Sequence, residues 1–110
     1  MLRRSLLPAI AVFVLSAAPA FAQEGAYSLV IRGNKLVPDT LEVKAGEKFR
    51  ITVRNMDSSP EEFESSDLKF EKVIPGGGSA TVVVQPLKPG TYTFFGEFHP
   101  NTAKGKVIAK

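Results

Sequence analysis

Apolar and polar residues alternate with period two along most of this chain. Tyr27, Leu29 and Ile31 are interleaved with Ser28, Val30 and Arg32. Phe49, Ile51 and Val53 alternate with Lys48, Arg50, Thr52 and Arg54, and Ala80, Val82 and Val84 with Thr81, Val83 and Gln85. Successive side chains of a strand point to opposite faces, so each run predicts a strand with one buried and one wet face. Leu41 and Val43 predict a shorter strand, and Gly105 to Ala109 a closing one. No helical period persists beyond a single turn.

The breaks between these runs carry turn chemistry. Val37-Pro38-Asp39, Ala45-Gly46-Glu47, Ser58-Ser59-Pro60, Pro75 to Gly78 and Lys88-Pro89-Gly90 recur at short, fairly even intervals. Proline presets φ and glycine admits positive φ, so each is a turn with a physical cause. About seven or eight short strands with such punctuation predict an all-β fold, an antiparallel Greek-key β-sandwich. There is no internal repeat, low-complexity tract or linker to a second domain. Gly76-Gly77-Gly78 lacks the lysine and following helix that a phosphate cradle needs.

The first residues follow a different rule. Arg3 and Arg4 precede an apolar run from Leu6 to Leu15, and Ala20-Phe21-Ala22 puts small residues at alternate positions. This is the three-part pattern of a secretory signal peptide over residues 1–22, cleaved after Ala22, with one domain over residues 23–110. The apolar run is short for a membrane span and contains Pro8, with Pro19 close behind it. Export to the periplasm, without membrane insertion of the mature chain, is the expectation. The formal charge of +3 includes the two leader arginines. The exported part is therefore close to neutral, which gives no electrostatic case for nucleic acid. Cysteine is absent, so the domain must hold together by apolar burial, and it has no thiolate to offer as nucleophile or ligand.

Candidate chemistry gathers around the single histidine, His99, in Phe94-Phe95-Gly96-Glu97-Phe98-His99-Pro100. Glu97 lies two residues before it and shares its side if the strand persists. A second group, Glu61-Glu62-Phe63-Glu64, follows the turn ending at Pro60. In an extended chain Glu61 shares a face with Phe63, the natural core residue, which sends a carboxylate toward the inner rim. Met56 and Lys104 form a looser third set. Imidazole with carboxylates suits a copper, iron or zinc ion. Nucleophilic catalysis is disfavoured, since there is no Gly-x-Ser-x-Gly and no second histidine to complete an acid–base set.

The same residues carry a resemblance to the cupredoxins, from Tyr27 to Ala109. Its bearers are Val43-Lys44-Ala45-Gly46, Val53-Arg54-Asn55, Ser59-Pro60-Glu61, Leu87-Lys88-Pro89-Gly90-Thr91-Tyr92-Thr93-Phe94 and Gly96-Glu97-Phe98-His99. Blue-copper members use an early histidine, a cysteine, a second histidine and a methionine. By position these fall on Glu61, Gly96, His99 and Lys104. One of the four is retained, so the resemblance implies a non-blue site. Pro60 to Ser65 together with Phe95 to His99 further resembles the small exported cupredoxin-like proteins encoded with bacterial iron permeases.

What that implies is a periplasmic accessory of ferrous iron uptake that binds copper and/or iron. The expected ligands are His99 with Glu61 and Glu97, completed by Glu62 or Met56, and the implied partner is an iron permease or another periplasmic uptake component. A ferroxidase-type role would need a partner as electron sink. The alternatives are a metal-free β-sandwich binding module and a copper carrier unrelated to iron.

Overall fold

The computed structural model describes residues 25–110, so the leader reading for residues 1–22 lies outside it. Nine strands are present among the described residues: β1 (Ala26–Arg32), β2 (Lys35–Val37), β3 (Thr40–Val43), β4 (Phe49–Asn55), β5 (Glu61–Ser65), β6 (Phe70–Ile74), β7 (Ser79–Val84), β8 (Gly90–Gly96) and β9 (Lys104–Ala109). They build a sheet ordered β2-β1-β4-β7 and another ordered β3-β9-β8-β5-β6. The alternating faces meet between the sheets. Leu29, Ile31, Phe49, Ile51, Val53, Val82 and Val84 come from the first sheet. Leu41, Val43, Phe63, Phe94 and Val107 come from the second. Phe63 is the hub, 4.8 Å from the Phe70 ring and 5.4 Å from Phe94.

Two departures from the sequence expectation concern direction and number. The sheets are mixed, because β1 runs parallel to β4 and β3 parallel to β9. Between β1 and β4 the chain visits the other sheet as β3, so it returns to its first sheet pointing the same way. Period-two alternation fixes faces and says nothing about direction. The extra strands are β2, only three residues long, and β6. The latter is an edge strand whose burial does not alternate, since Glu71, Lys72 and Val73 are all exposed.

Sequence details explain the local geometry. Gly33 and Asn34 both have φ near 60° and join β1 to β2 as a two-residue turn of the mirror-image type that matches strand twist. In Lys88-Pro89-Gly90-Thr91-Tyr92, the Tyr92 hydroxyl donates to the Lys88 carbonyl at 2.7 Å and closes the entry to β8. β5 pairs with β8 at only two positions, Phe63 with Gly96 and Glu64 with Phe95. Below them side chains take over: Ser65 Oγ donates to the Thr93 carbonyl at 2.6 Å, and Asp67 accepts from the Thr93 N–H at 2.8 Å. One end of the sandwich therefore collects the ends of β1, β4, β6 and β8 and the starts of β5, β7 and β9. The candidate residues lie there.

Candidate metal centre

β8 ends at Gly96, and the segment to Ala103 folds back on itself through backbone bonds. Gly96 N–H donates to the Ala103 carbonyl (2.7 Å), His99 N–H to Gly96 (3.1 Å), and Ala103 N–H to His99 (2.8 Å). Glu97 N–H donates to the Glu62 carbonyl at 2.8 Å, which ties this turn to the start of β5. The turn carries the imidazole of His99 over Glu61, with His99 Nδ1 2.7 Å from Glu61 Oε2. Glu61 Oε1 accepts the backbone N–H groups of Phe98 (2.8 Å) and Glu62 (3.0 Å).

Glu61 is 1% exposed. A buried carboxylate is tolerable only where donors replace its water, and three do so here. An ionised carboxylate only accepts, so the shared proton belongs on His99 Nδ1, and the lone pair on Nε2 is left free. The His99 side chain keeps 30% of its surface open to solvent.

Gly96 makes this seating possible. A methyl group built on it would stand 2.5 Å from Glu61 Cδ, 2.6 Å from Oε2 and 2.8 Å from the Ala103 methyl. The carboxylate thus fills the space that a side chain at position 96 would occupy.

The preceding loop is held by Asn55, which is fully buried. Its Nδ2 lies 2.9 Å from the Ser59 carbonyl, 3.2 Å from that of Ile74 and 3.3 Å from that of Pro75, while its Oδ1 accepts Asp57 N–H at 3.0 Å. Asp57 in turn accepts the N–H groups of Gly33 (2.8 Å) and Asn34 (2.9 Å) at the β1–β2 turn. Those donors, Asn34 foremost and then Gly33, hold the Asp57 carboxyl below its ordinary range. Sequence reasoning passed over Asn55 and Asp57. The available signal was an asparagine ending an otherwise clean alternation at an inward position.

The remaining candidates lie elsewhere. Glu62 points outward on β5, and Glu97 is exposed close enough to Glu62 and Glu64 to act on both electrostatically. Met56 is 47% exposed, and its sulfur is engaged by Arg54 Nε at 3.1 Å. Lys104 opens β9 on the outer face, opposite Phe95. Glu61 and His99 therefore form a close pair, while Glu62 and Glu97 belong to an acidic patch on the other side of the sheet.

Among the described residues, three or more metal-type side chains converge only at Glu62, Glu64 and Glu71, whose oxygens lie within 4.8 Å of one another. Partial desolvation, followed by the charge of Glu71, raises the carboxyls of Glu62 and Glu64 above the ordinary range. A carboxyl raised in the folded state binds more protons there than in the unfolded chain, so stability falls as pH rises from about 4.5 through the folded value. Glu64→Gln should therefore raise the melting temperature at neutral pH, with the gain fading below pH ~4.5. Thermal unfolding across that range checks it; a gain independent of pH would rule out charge as its cause.

A sulfur-ligated blue copper centre does not fit this end of the molecule. The chain has no cysteine, and the space over Gly96 is taken by Glu61. The fold and site together define a cupredoxin-type sandwich with a carboxylate–imidazole pair, Glu61 and His99, at one end and no sulfur ligand from cysteine. The cupredoxin-like domain model matches residues 5–109, and the chain belongs to that family.

Amicyanin from Paracoccus versutus (Thiobacillus versutus) superposes with a TM-score of 0.61 at 18% identity, over 77% of this chain and 81% of that one. Dithionite-reduced auracyanin from Roseiflexus castenholzii gives 0.64 at 15% identity, over 79% and 98%. A purple cupredoxin from Nitrosopumilus maritimus gives 0.59 at 23%, over 76% and 99%. At these identities the likeness is one of fold. The uncharacterized protein RP394 of Rickettsia prowazekii (strain Madrid E) is 42% identical over 80 residues, 73% of this chain. The chain spans 64% of that relative's length.

Proposed function

We propose that this protein is an exported metal-handling module of ferrous iron uptake, in which His99 presents Nε2 to a copper or iron ion. The carrying observation is the 2.7 Å contact between His99 Nδ1 and the buried Glu61 carboxylate. A carboxylate behind an imidazole fixes its tautomer and orientation and makes the outward nitrogen a better ligand, the arrangement usual behind metal-bound histidines. With both oxygens of Glu61 already accepting from three donors, its part is to hold the imidazole rather than to enclose an ion. The open donor is Nε2. An ion held by one protein nitrogen takes its other ligands from water or a docked partner, which suits transfer more than storage. When bound, copper or iron would supply one-electron chemistry in a site without sulfur.

The arginine-led apolar N-terminus supports export to the periplasm, and the paired resemblance of Pro60–Ser65 and Phe95–His99 supports an iron permease as partner. The membership in the cupredoxin-like family and the Cu(I) forms of amicyanin variants among its fold neighbours favour copper as one of the ions. A second reading, the metal-free binding module, rests on the same seated carboxylate, because both oxygens of Glu61 have hydrogen-bond donors without an ion.

Titration of the purified protein with Cu(II) and with Fe(III), followed by calorimetry and electron paramagnetic resonance, decides between them. We expect binding of one ion with nitrogen coupling and a pale spectrum without an intense sulfur-to-copper band. His99→Ala should abolish it, and Glu61→Gln should weaken it by roughly 10–100-fold. Absence of binding at micromolar metal, or binding indifferent to His99→Ala, selects the metal-free reading.

A further inference from the structure

The outer face of the five-stranded sheet has a charge pattern that the metal-centre reading does not use. Registered pairs place Lys104 beside Phe95, Phe95 beside Glu64, and Glu64 beside Glu71, across β9, β8, β5 and β6. All four side chains project away from the core. One row further along β9, Lys106 pairs with Thr93 on one side and Thr40 on the other. The opposite shift brings Glu62 beside Val73, which is 57% exposed. The face is therefore basic on the β9 side of Phe95 and acidic on the β5–β6 side. A depression of about 470 Å³ lies on the basic half, lined among others by Thr40, Thr93, Phe95, Lys104 and Lys106.

No ion pair closes within either half among the described residues, although Asp39 lines the basic depression and Lys69 lies beside Glu64 and Glu71. Among the described residues, ion pairs join Lys44 to Glu47, Lys110 to Glu42 and His99 to Glu61, and none involves Lys104, Lys106, Glu62, Glu64 or Glu71. Three carboxylates within 4.8 Å of one another repel unless a cation covers them. We propose that this face pairs with the same face of a second copy, the lysines of each covering the carboxylates of the other.

Geometry selects the operator. Two sheets meeting face to face through a two-fold axis must have that axis in the plane between them. An axis running across the strands would set lysine over lysine. An axis running along β8 over Phe95 exchanges left and right, so that Lys104 faces Glu64 of the second copy and the two Phe95 rings meet at the centre. Lys106 is then one diagonal from Glu71 of the second copy, within reach of a long side chain. A single chain thus supplies both halves of a self-complementary contact.

The size of the patch sets its strength. Five strands at about 4.8 Å spacing and five residues at about 3.4 Å give roughly 400 Å² on each copy, or about 800 Å² in total. That is at the weak end of specific interfaces, and its charges are screened over about 10 Å at 0.1 M salt. The association expected is reversible, salt-sensitive and on the order of 10–1,000 µM.

Sedimentation equilibrium of the purified protein tests this over that concentration range in low salt with a chelator present. The mass should rise from monomer toward dimer with concentration and fall back at ~0.5 M salt. Lys104→Glu should leave a monomer throughout, and Lys104→Glu with Glu64→Lys should restore the dimer. Thermal unfolding of each variant confirms that the fold is kept. A monomer at every concentration overturns the proposal. So does a dimer untouched by Lys104→Glu, one not restored by the double exchange, or one that forms only when a divalent cation is added. That last outcome would make the acidic cluster a cation site instead.

Discussion

Gly96→Ala should lower the melting temperature by roughly 10–20 °C, a large penalty for one methyl group on a site near the surface. The added carbon would lie 2.5 Å from Glu61 Cδ and 2.8 Å from the Ala103 methyl. Close contacts with the tip of a free side chain are relieved cheaply, but this tip is not free. Moving the carboxylate sacrifices its bonds to Phe98 N–H, Glu62 N–H and His99 Nδ1, and bonds to a charged group are the stronger kind. The expected cost is about 2–3 kcal/mol. Glu61→Ala alone should also destabilise, since it leaves two N–H groups without their acceptor.

The informative quantity is the coupling. In a Glu61→Ala background the two nearest obstacles over Gly96 are gone and the Ala103 methyl at 2.8 Å remains, so Gly96→Ala should cost at least about 1 kcal/mol less there than in the parent protein. Denaturant unfolding of the four proteins measures this. Additive effects would mean that the carboxylate does not sit over Gly96, and the reading of the site would go with it.

Much of this was legible because side-chain period and burial share one cause. The strand faces of β1, β4 and β7 followed directly from alternation, as did Glu61 beside Phe63 on an inward face. That last inference, a carboxylate pointing into a sandwich, located half of the site. His99 located the other half through residue type and the turn at Pro100. Contact between them was an expectation, because nothing in spacing fixes how the 97–103 turn folds back over β5. Resemblance to the cupredoxins supplied the missing three-dimensional link.

What stayed hidden has physical reasons. β6 alternates poorly because an edge strand with one neighbour buries little, and β2 is too short to show a period. Parallel pairing is invisible to a pattern that records faces alone. Glu62 is one residue from Glu61, which along a strand is the opposite face of a sheet, whereas Glu97 shares the side of His99 only if the strand persists, and β8 ends at Gly96 where the chain turns back. The glycine that admits the carboxylate is silent in sequence. Its role exists only through what lies opposite it.

Asn55→Ala should destabilise the fold by about 3–4 kcal/mol, a large effect for a residue outside the apolar core. Asn55 is fully buried and knots two loops at the site end. Its amide nitrogen serves the carbonyls of Ser59, Ile74 and Pro75, and its carbonyl oxygen takes the Asp57 N–H. Its backbone adds bonds to Gly78 and from Gly77. Truncation would strip the side-chain partners from four backbone groups at once, beside a loop contact so close that Gly76 has no room for a side chain against the Ser58 carbonyl. Asn55→Asp keeps the shape but turns two donors into an acceptor facing three carbonyl oxygens, so it should cost at least as much.

The damage should be felt at the site, because residues 56–60 carry Asp57 and deliver the chain into Glu61. Hydrogen exchange should accelerate in residues 56–60 and 75–78 well before the β1–β4 pairing opens. A loss under about 1 kcal/mol for Asn55→Ala would show that water replaces the amide without penalty. The two loops would then be held by their own backbone, and the asparagine would not be what positions the carboxylate beneath His99.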